Sequence, residues 1–130
     1  YKEAAEAFQQ ALRIDPDDAQ THSNLGIAYA GSGKYQEATV AFKQAIRINP
    51  DYAKAHYNLG VAYGGSGKYK EAAEAYKQAL RINPDYADAH YNLGYAYVLS
   101  NDRDSALEQY KMLKSLDTEL ANRLFSEIYE

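Results

Sequence analysis

The chain has 130 residues, enough for one domain, with 14 Lys+Arg against 18 Asp+Glu and a formal net charge of −4. That balance argues against a nucleic-acid partner, which calls for a basic field, and the absence of cysteine (Cys 0) excludes a disulfide framework, a thiol nucleophile and a Cys-ligated metal centre. No apolar run approaches the ~18 residues of a membrane-spanning helix, so no membrane insertion is expected; the compartment is left open by the sequence, with a soluble, cytoplasmic chain weakly favoured.

Taken in order, Tyr1 to Pro16 reads as one helix, with Ala4, Ala7, Phe8 and Ala11 along a single stripe. A second helix runs from Asp18 to Ser32, its apolar residues Ala19, Leu25, Ala28 and Tyr29 at three- and four-residue steps, and stops at Gly33, a natural left-handed C-terminal residue. A third runs from about Tyr35 to Ile48, with Ala38, Ala41, Phe42, Ala45, Ile46 and Ile48 inward. It ends before Pro50, which disfavours helix in the residue ahead of it. Short connections make neighbouring helices antiparallel.

The same two elements then recur. Pro16, Pro50 and Pro84 stand 34 residues apart, and so do His22, His56 and His90, Asn24, Asn58 and Asn92, Leu25, Leu59 and Leu93, Gly26, Gly60 and Gly94, and Tyr29, Tyr63 and Tyr97. Phe8, Phe42, Tyr76 and Tyr110 form one aromatic column at the same interval. A fixed period of this length signals stacked supersecondary units. Glycine in mid-helix costs about 1 kcal/mol against alanine. Gly26, Gly60 and Gly94 therefore imply close approach of the paired helix, whose Ala38, Ala72 and Ala106 are equally small.

The stretches His56 to Tyr63, Gly67 to Ala72 and Tyr76 to Pro84 carry the pattern H-x-N-L-G-x-A-Y, G-K-Y-x-E-A, then an aromatic ahead of A-L-R-I-N-P. This pattern resembles the tetratricopeptide repeat (TPR), and the resemblance covers residues 1–118, with His22, His56 and His90 in place of the usual tryptophan. It implies an all-α solenoid, a right-handed superhelix of antiparallel helix pairs. The expected division is a half repeat at 1–18 (second helix only), full repeats at 19–52, 53–86 and 87–120, and a capping helix at 118–130. The last repeat diverges: Asn101 replaces the turn glycine, Arg103 the tyrosine and Thr118 the proline. In the capping helix Ala121, Leu124, Phe125 and Ile128 form the apolar stripe, while Asn122, Arg123, Ser126 and Glu127 face outward. These edges lead to the expectation of a native C-terminus and a truncated N-terminus.

Chemistry is sought and not found. Gly64-Gly65-Ser66-Gly67-Lys68 fails as a phosphate loop, because Ala62 stands where glycine is needed and Tyr69 where Ser or Thr is needed. The three histidines lie on equivalent faces of successive units, too far apart to share a metal, and read as packing residues. Asp15, Asp17 and Asp18 read as turn and capping residues. No nucleophile has a base fixed beside it and no carboxylates converge, so no catalytic residue, no metal and no cofactor is assigned.

The resemblance places the binding surface on the concave face, lined by the first helix of each unit. Asn24 and Ile27 point there, with Gln20, Ser23 and Ala30. The next unit supplies Lys54, Tyr57, Asn58, Val61 and Gly64, and the third Asp88, Tyr91, Asn92, Tyr95 and Val98. Steps of three and four put each set on one helix face. Tyrosine gives large contact area at low entropy cost, and the asparagine column offers pairing to an extended backbone. Gly64 and Gly65, with Ala30 and Gly31, imply a shallow floor on which an apolar partner side chain rests against Tyr57 or Tyr95. Ser23, Ile27 and Asn92 stand where the clamps for acidic chaperone C-termini carry Lys, Asn and Arg, so a carboxylate-terminal partner is not expected. The second helices present mixed charge: Glu37, Lys43 and Arg47, then Lys70, Glu71, Glu74, Lys77 and Arg81. The expected function is binding of an extended or helical protein segment in the groove, without catalysis. The alternatives are a self-assembling scaffold joined through the N-terminal half repeat, or the recognition arm of a larger enzyme.

Overall fold

A computed structural model describes all 130 residues as eight helices and no strands. They are α1 (Lys2–Ile14), α2 (Ala19–Gly31), α3 (Tyr35–Ile48), α4 (Ala53–Gly65), α5 (Tyr69–Ile82), α6 (Ala87–Leu99), α7 (Arg103–Leu116) and α8 (Thr118–Tyr129). Each packs against its neighbours in the chain, and α2–α3, α4–α5 and α6–α7 are the most extensive pairs.

Local chemistry sets the ends. Asp18 caps α2, its carboxylate accepting from the Gln20 and Thr21 amides. Asp102 does the same for the Ser105 amide in α7, and Asp117 for the Leu120 amide in α8. Asp15 accepts from the Asp17 amide within the first turn, as a turn residue should. Gly33 and Gly67 close the first helices at φ 77°, and Asn101 takes that place in the third unit at φ 61°, a left-handed turn that asparagine tolerates.

The histidine column ties units together. His22, His56 and His90 each place Nε2 within 2.8–3.0 Å of the carbonyl of Pro16, Pro50 or Pro84, six residues back. They hold the turn that enters each unit, with His90 buried and the other two half-buried.

The mid-helix glycines have a different cause from the one expected. A Cβ on Gly26 would lie 2.5 Å from the Phe42 ring, and one on Gly60 would lie 2.5 Å from the Tyr76 ring. The aromatic column, rather than the small alanines, fills the space. Phe42 is 1% exposed and Tyr76 5%. In the third unit the seat over Gly94 is taken by Leu124 of α8, 2.5 Å from that Cβ position, and Tyr110 packs instead against Phe125 with ring centroids 5.3 Å apart.

The capping helix is correspondingly different from its expected stripe. Ala121, Leu124 and Ile128 are buried, but Phe125 is 45% exposed. α8 starts 31 residues after α6 rather than 34, because the four-residue link that precedes α6 is one residue here, Asp117. The shorter link draws α8 close against α6 as well as α7.

Curvature follows from which helices meet. α2 touches α4 and α4 touches α6, whereas α3, α5 and α7 make no such contact with one another. The stack therefore bends toward the first helices. The charged residues of the second helices, Glu37, Lys43, Arg47, Lys70, Glu71, Glu74, Lys77 and Arg81, are all exposed on the other side.

Candidate partner-binding groove

Three equivalent positions, Ile27, Val61 and Tyr95, lie 34 residues apart on α2, α4 and α6, and they are 41%, 37% and 38% exposed. They form an apolar column along the inner side of the stack, held there because the opposite faces of the same helices (Leu25 and Ala28, Leu59 and Ala62, Leu93 and Ala96) are buried.

The tyrosines and asparagines divide into two groups. Tyr57 stacks on Tyr86 at 5.0 Å and tilts against Tyr76 at 5.7 Å, and its hydroxyl accepts a hydrogen bond from Asn92 Nδ2 at 3.0 Å. Tyr57 and Asn92 thus tie α4 to α6 and are part of the packing. Asn58, one repeat earlier, has no such partner: its Nδ2 is buried and unpaired, because Ser23 stands where Tyr57 stands in the next unit. Asn24 is half-buried. Tyr91 and Tyr95 form the second group, stacked parallel with centroids 6.4 Å apart, and the Arg123 guanidinium of α8 lies 5.0 Å over the Tyr91 ring. Tyr57 on one side and Tyr91 with Tyr95 on the other are therefore two separate sets. Arg123, expected to face solvent alone, covers one of them. Lys54 and Asp88 are exposed near the starts of α4 and α6.

Tyr57, Tyr76, Tyr86 and Tyr91 hold their protons more tightly than a free tyrosine. Burial pushes the Tyr57 hydroxyl above the usual tyrosine range, with the Asp88 charge adding to it and the Asn92 bond opposing. Burial raises Tyr76 further and Tyr86 to about 12. Burial also raises Tyr91, against the pull of Arg123.

The expected glycine floor is only partly open. Gly31 and Gly65 are covered, since a Cβ on either would lie 2.5 Å from the ring of Tyr1 or Tyr35. Nothing lies within 4 Å of a Cβ on Gly64. Beside it a pocket of about 340 Å³ opens between α4, α5 and α6, lined by Val61, Gly64, Tyr69, Asn92, Tyr95 and Leu99 among others. Tyr95, and not Tyr57, shares this pocket with Gly64. Tyr69 and Leu99 are not among the expected contact residues, although Leu99, with Val98, fills in the third unit the place that Gly31 and Gly65 hold in the earlier ones, and that break in the column is the sequence signal for it; Tyr69 keeps the column of Tyr1 and Tyr35.

Models of the "TPR repeat" match residues 1–33, 31–67 and 65–101, and a "Tetratricopeptide repeat" model matches 87–119. The chain belongs to the tetratricopeptide repeat family. No curated protein matches it closely enough to count as a relative. Among solved structures, a crystal structure of MamA superposes with TM-score 0.84 at 25% identity, covering 96% of this chain and 84% of that one. A second MamA structure has TM-score 0.84 at 30% identity, covering 93% of this chain and 66% of that one. With the eight-helix architecture these matches make the chain an all-α TPR solenoid. No helix is long and apolar enough to cross a membrane.

Proposed function

We propose that this TPR solenoid is a protein-interaction scaffold that holds a segment of another protein in its inner groove, without covalent chemistry. The observation that carries the reading is the exposed apolar column Ile27–Val61–Tyr95. Apolar side chains repeated at 34-residue intervals stay in water on the one face where the stack bends inward, and burial of such a column against a partner supplies the driving force. Lys54, Asn24, Asn58, Asp88, Tyr91 and Asn92 belong to the walls of that groove, and Gly64 to its floor. The proposed repeat frame is the expected one: a half unit at 1–18, units at 19–52, 53–86 and 87–120, and a closing helix at 118–130.

The test compares this chain with a version carrying Ile27→Glu, Val61→Glu and Tyr95→Glu as baits in lysate of the source cells. A protein held by the first and lost from the second, with both baits equally helical and equally stable, is the expected result. Equal retention of the same proteins by both baits removes the groove from consideration.

Self-association through α1 is a second reading with its own observation. Ala4, Ala7 and Ala11 are exposed, whereas their counterparts Ala38, Ala41 and Ala45 are buried under a paired helix, and Ile14 is 89% exposed. Phe8 is half-buried against Ala5, Leu25 and Ala28. Sedimentation at rising concentration decides it: a constant monomer mass rejects this reading, and a mass that falls to monomer with Ala7→Glu supports it.

A further inference from the structure

The groove is not uniform along its length, and the place where it changes is set by Leu99 and Tyr95, which leave the repeat pattern. The Tyr35 ring, from unit 19–52, sits on Gly65 at the end of α4 in the following unit. The equivalent ring in the next unit is Tyr69, and its seat at the end of α6 is occupied by Leu99. A Cβ at Gly65 would already lie 2.5 Å from the ring of Tyr35, so a leucine at that place leaves no room for Tyr69 to seat in the same way. Tyr69 instead lines the pocket, half-buried, together with Leu99. Tyr95 replaces Val61 and Ile27 in the apolar column and closes the third side. Gly64, the one first-helix glycine at this end with nothing over it, leaves the floor open.

The lining is chemically one-sided. No charged residue faces the pocket of about 340 Å³, and seven of its nine lining residues are hydrophobic. Tyr76, which lines it, has its hydroxyl held above the ordinary tyrosine range by burial and stays uncharged. Asn92 is the one amide on the wall, and its bond to Tyr57 fixes its orientation. The volume lies at the small end of ligand sites, ~300–1,000 Å³, and suits one large side chain rather than a cofactor. The pocket continues directly into the exposed column through Val61 and Tyr95.

We propose that this pocket is the anchor of the groove: it takes one uncharged, leucine-to-phenylalanine-sized side chain from an extended segment of a partner protein, and Leu99 and Tyr69 determine that choice. The inference rests on the groove reading above and deepens it. A charged side chain has no counter-charge here and would lose its hydration without return. Burial of one such apolar side chain is worth about tenfold or more in affinity.

The experiment selects a random twelve-residue peptide library displayed on phage against the full chain, and measures the best peptides as free fluorescent probes. Affinities are compared for the parent, Gly64→Leu, Leu99→Gly and Ile27→Glu. A Cβ on Gly64 meets nothing within 4 Å, so Gly64→Leu enters open space and fills the floor, Leu99→Gly restores the seat for Tyr69 and removes two walls, and circular dichroism with thermal unfolding checks that each variant is folded. The expected result is a set of peptides sharing one large apolar residue, each weakened about tenfold or more by both pocket variants, with methyl NMR shifts at Val61 and Leu99. Peptides weakened by Ile27→Glu but indifferent to Gly64→Leu and Leu99→Gly overturn the anchor and leave the groove reading standing. A shared charged residue overturns it too. Failure to select any peptide, or selection of peptides indifferent to all three variants, removes both. If Gly64→Leu instead turns an oligomer of the parent into monomer, the occupant is a second copy and the partner assignment is wrong.

Discussion

Asn92 donates from Nδ2 to the hydroxyl of Tyr57 at 3.0 Å, across 35 residues of sequence, and so bolts α6 to α4 on the inner side of the stack. The same amide one repeat earlier, on Asn58, is buried with no partner. Identical residues in identical columns therefore differ in energy, because Ser23 does not reach where Tyr57 does. Asn92→Ala should lose about 1 kcal/mol more stability than Asn58→Ala, since one removes a made bond and the other an unsatisfied donor. Urea unfolding of the two variants measures this. A Tyr57→Phe/Asn92→Ala cycle should show coupling of about 0.5–1.5 kcal/mol. Equal losses and zero coupling would mean that the bond contributes nothing.

The glycines give a pair of opposite effects. Gly64→Ala meets open space and should stabilise the chain by roughly 0.5–1 kcal/mol through helix propensity. Gly60→Ala puts a Cβ 2.5 Å from the buried Tyr76 ring and should destabilise by about 1–3 kcal/mol. Thermal unfolding should move the midpoint up in the first variant and down in the second. A rise in both would show that the ring yields at little cost.

Leu124 is fully buried and sits over Gly94, in the seat that Phe42 and Tyr76 fill in earlier units. Leu124→Ala should cost about 2–5 kcal/mol and release α8 first, seen as faster amide exchange in residues 118–129 than in α4. Uniform loss of protection along the chain would contradict an end helix held by this one seat.

Alkali should unfold the protein through its packed tyrosines. Burial raises Tyr57, Tyr76, Tyr86 and Tyr91 above the ordinary tyrosine value of about 10, Tyr86 to about 12. Above about pH 10 the folded chain keeps protons that the unfolded chain releases, so stability is full below that pH and falls as pH rises through the folded values. On the acid side, Asp18 and Asp102 are lowered by their hydrogen bonds to Thr21 and Ser105, so their contribution fades as pH falls below 3.8. Tyrosinate absorbance and circular dichroism, followed together from pH 9 to 13, should show late tyrosines ionising with loss of helix. Ionisation of every tyrosine near pH 10 with helix intact would refute this.

Periodicity carries most of the fold. Pro16, Pro50 and Pro84 mark the unit entrances, and the histidine and aromatic columns mark the packed faces, because each unit repeats the same burial problem. What periodicity hides is any residue whose partner lies in the next unit. The seat of Tyr35 on Gly65 and the bond from Asn92 to Tyr57 cross unit boundaries, and no spacing rule within one unit reveals them. The end of the chain is hidden for another reason. Shortening the link to Asp117 shifts α8 against the 34-residue register, which puts Leu124 over Gly94 and Arg123 over Tyr91 and leaves Phe125 half-exposed against Tyr110. Exposed groove positions such as Val61 and Tyr95 are legible from helical steps, whereas Leu99 becomes visible only as a departure from the column of Gly31 and Gly65, and Tyr69, which keeps the column of Tyr1 and Tyr35, gives no signal of its own.

Site-specific photo-crosslinking in the source cells tests the central claim most directly. A benzophenone side chain is placed either at Val61, on the inner column and 37% exposed, or at Val40, on a second helix and 61% exposed. The groove account predicts a discrete adduct with another protein from Val61 and none from Val40. An adduct from Val40 alone would place the partner on the outer face and contradict it.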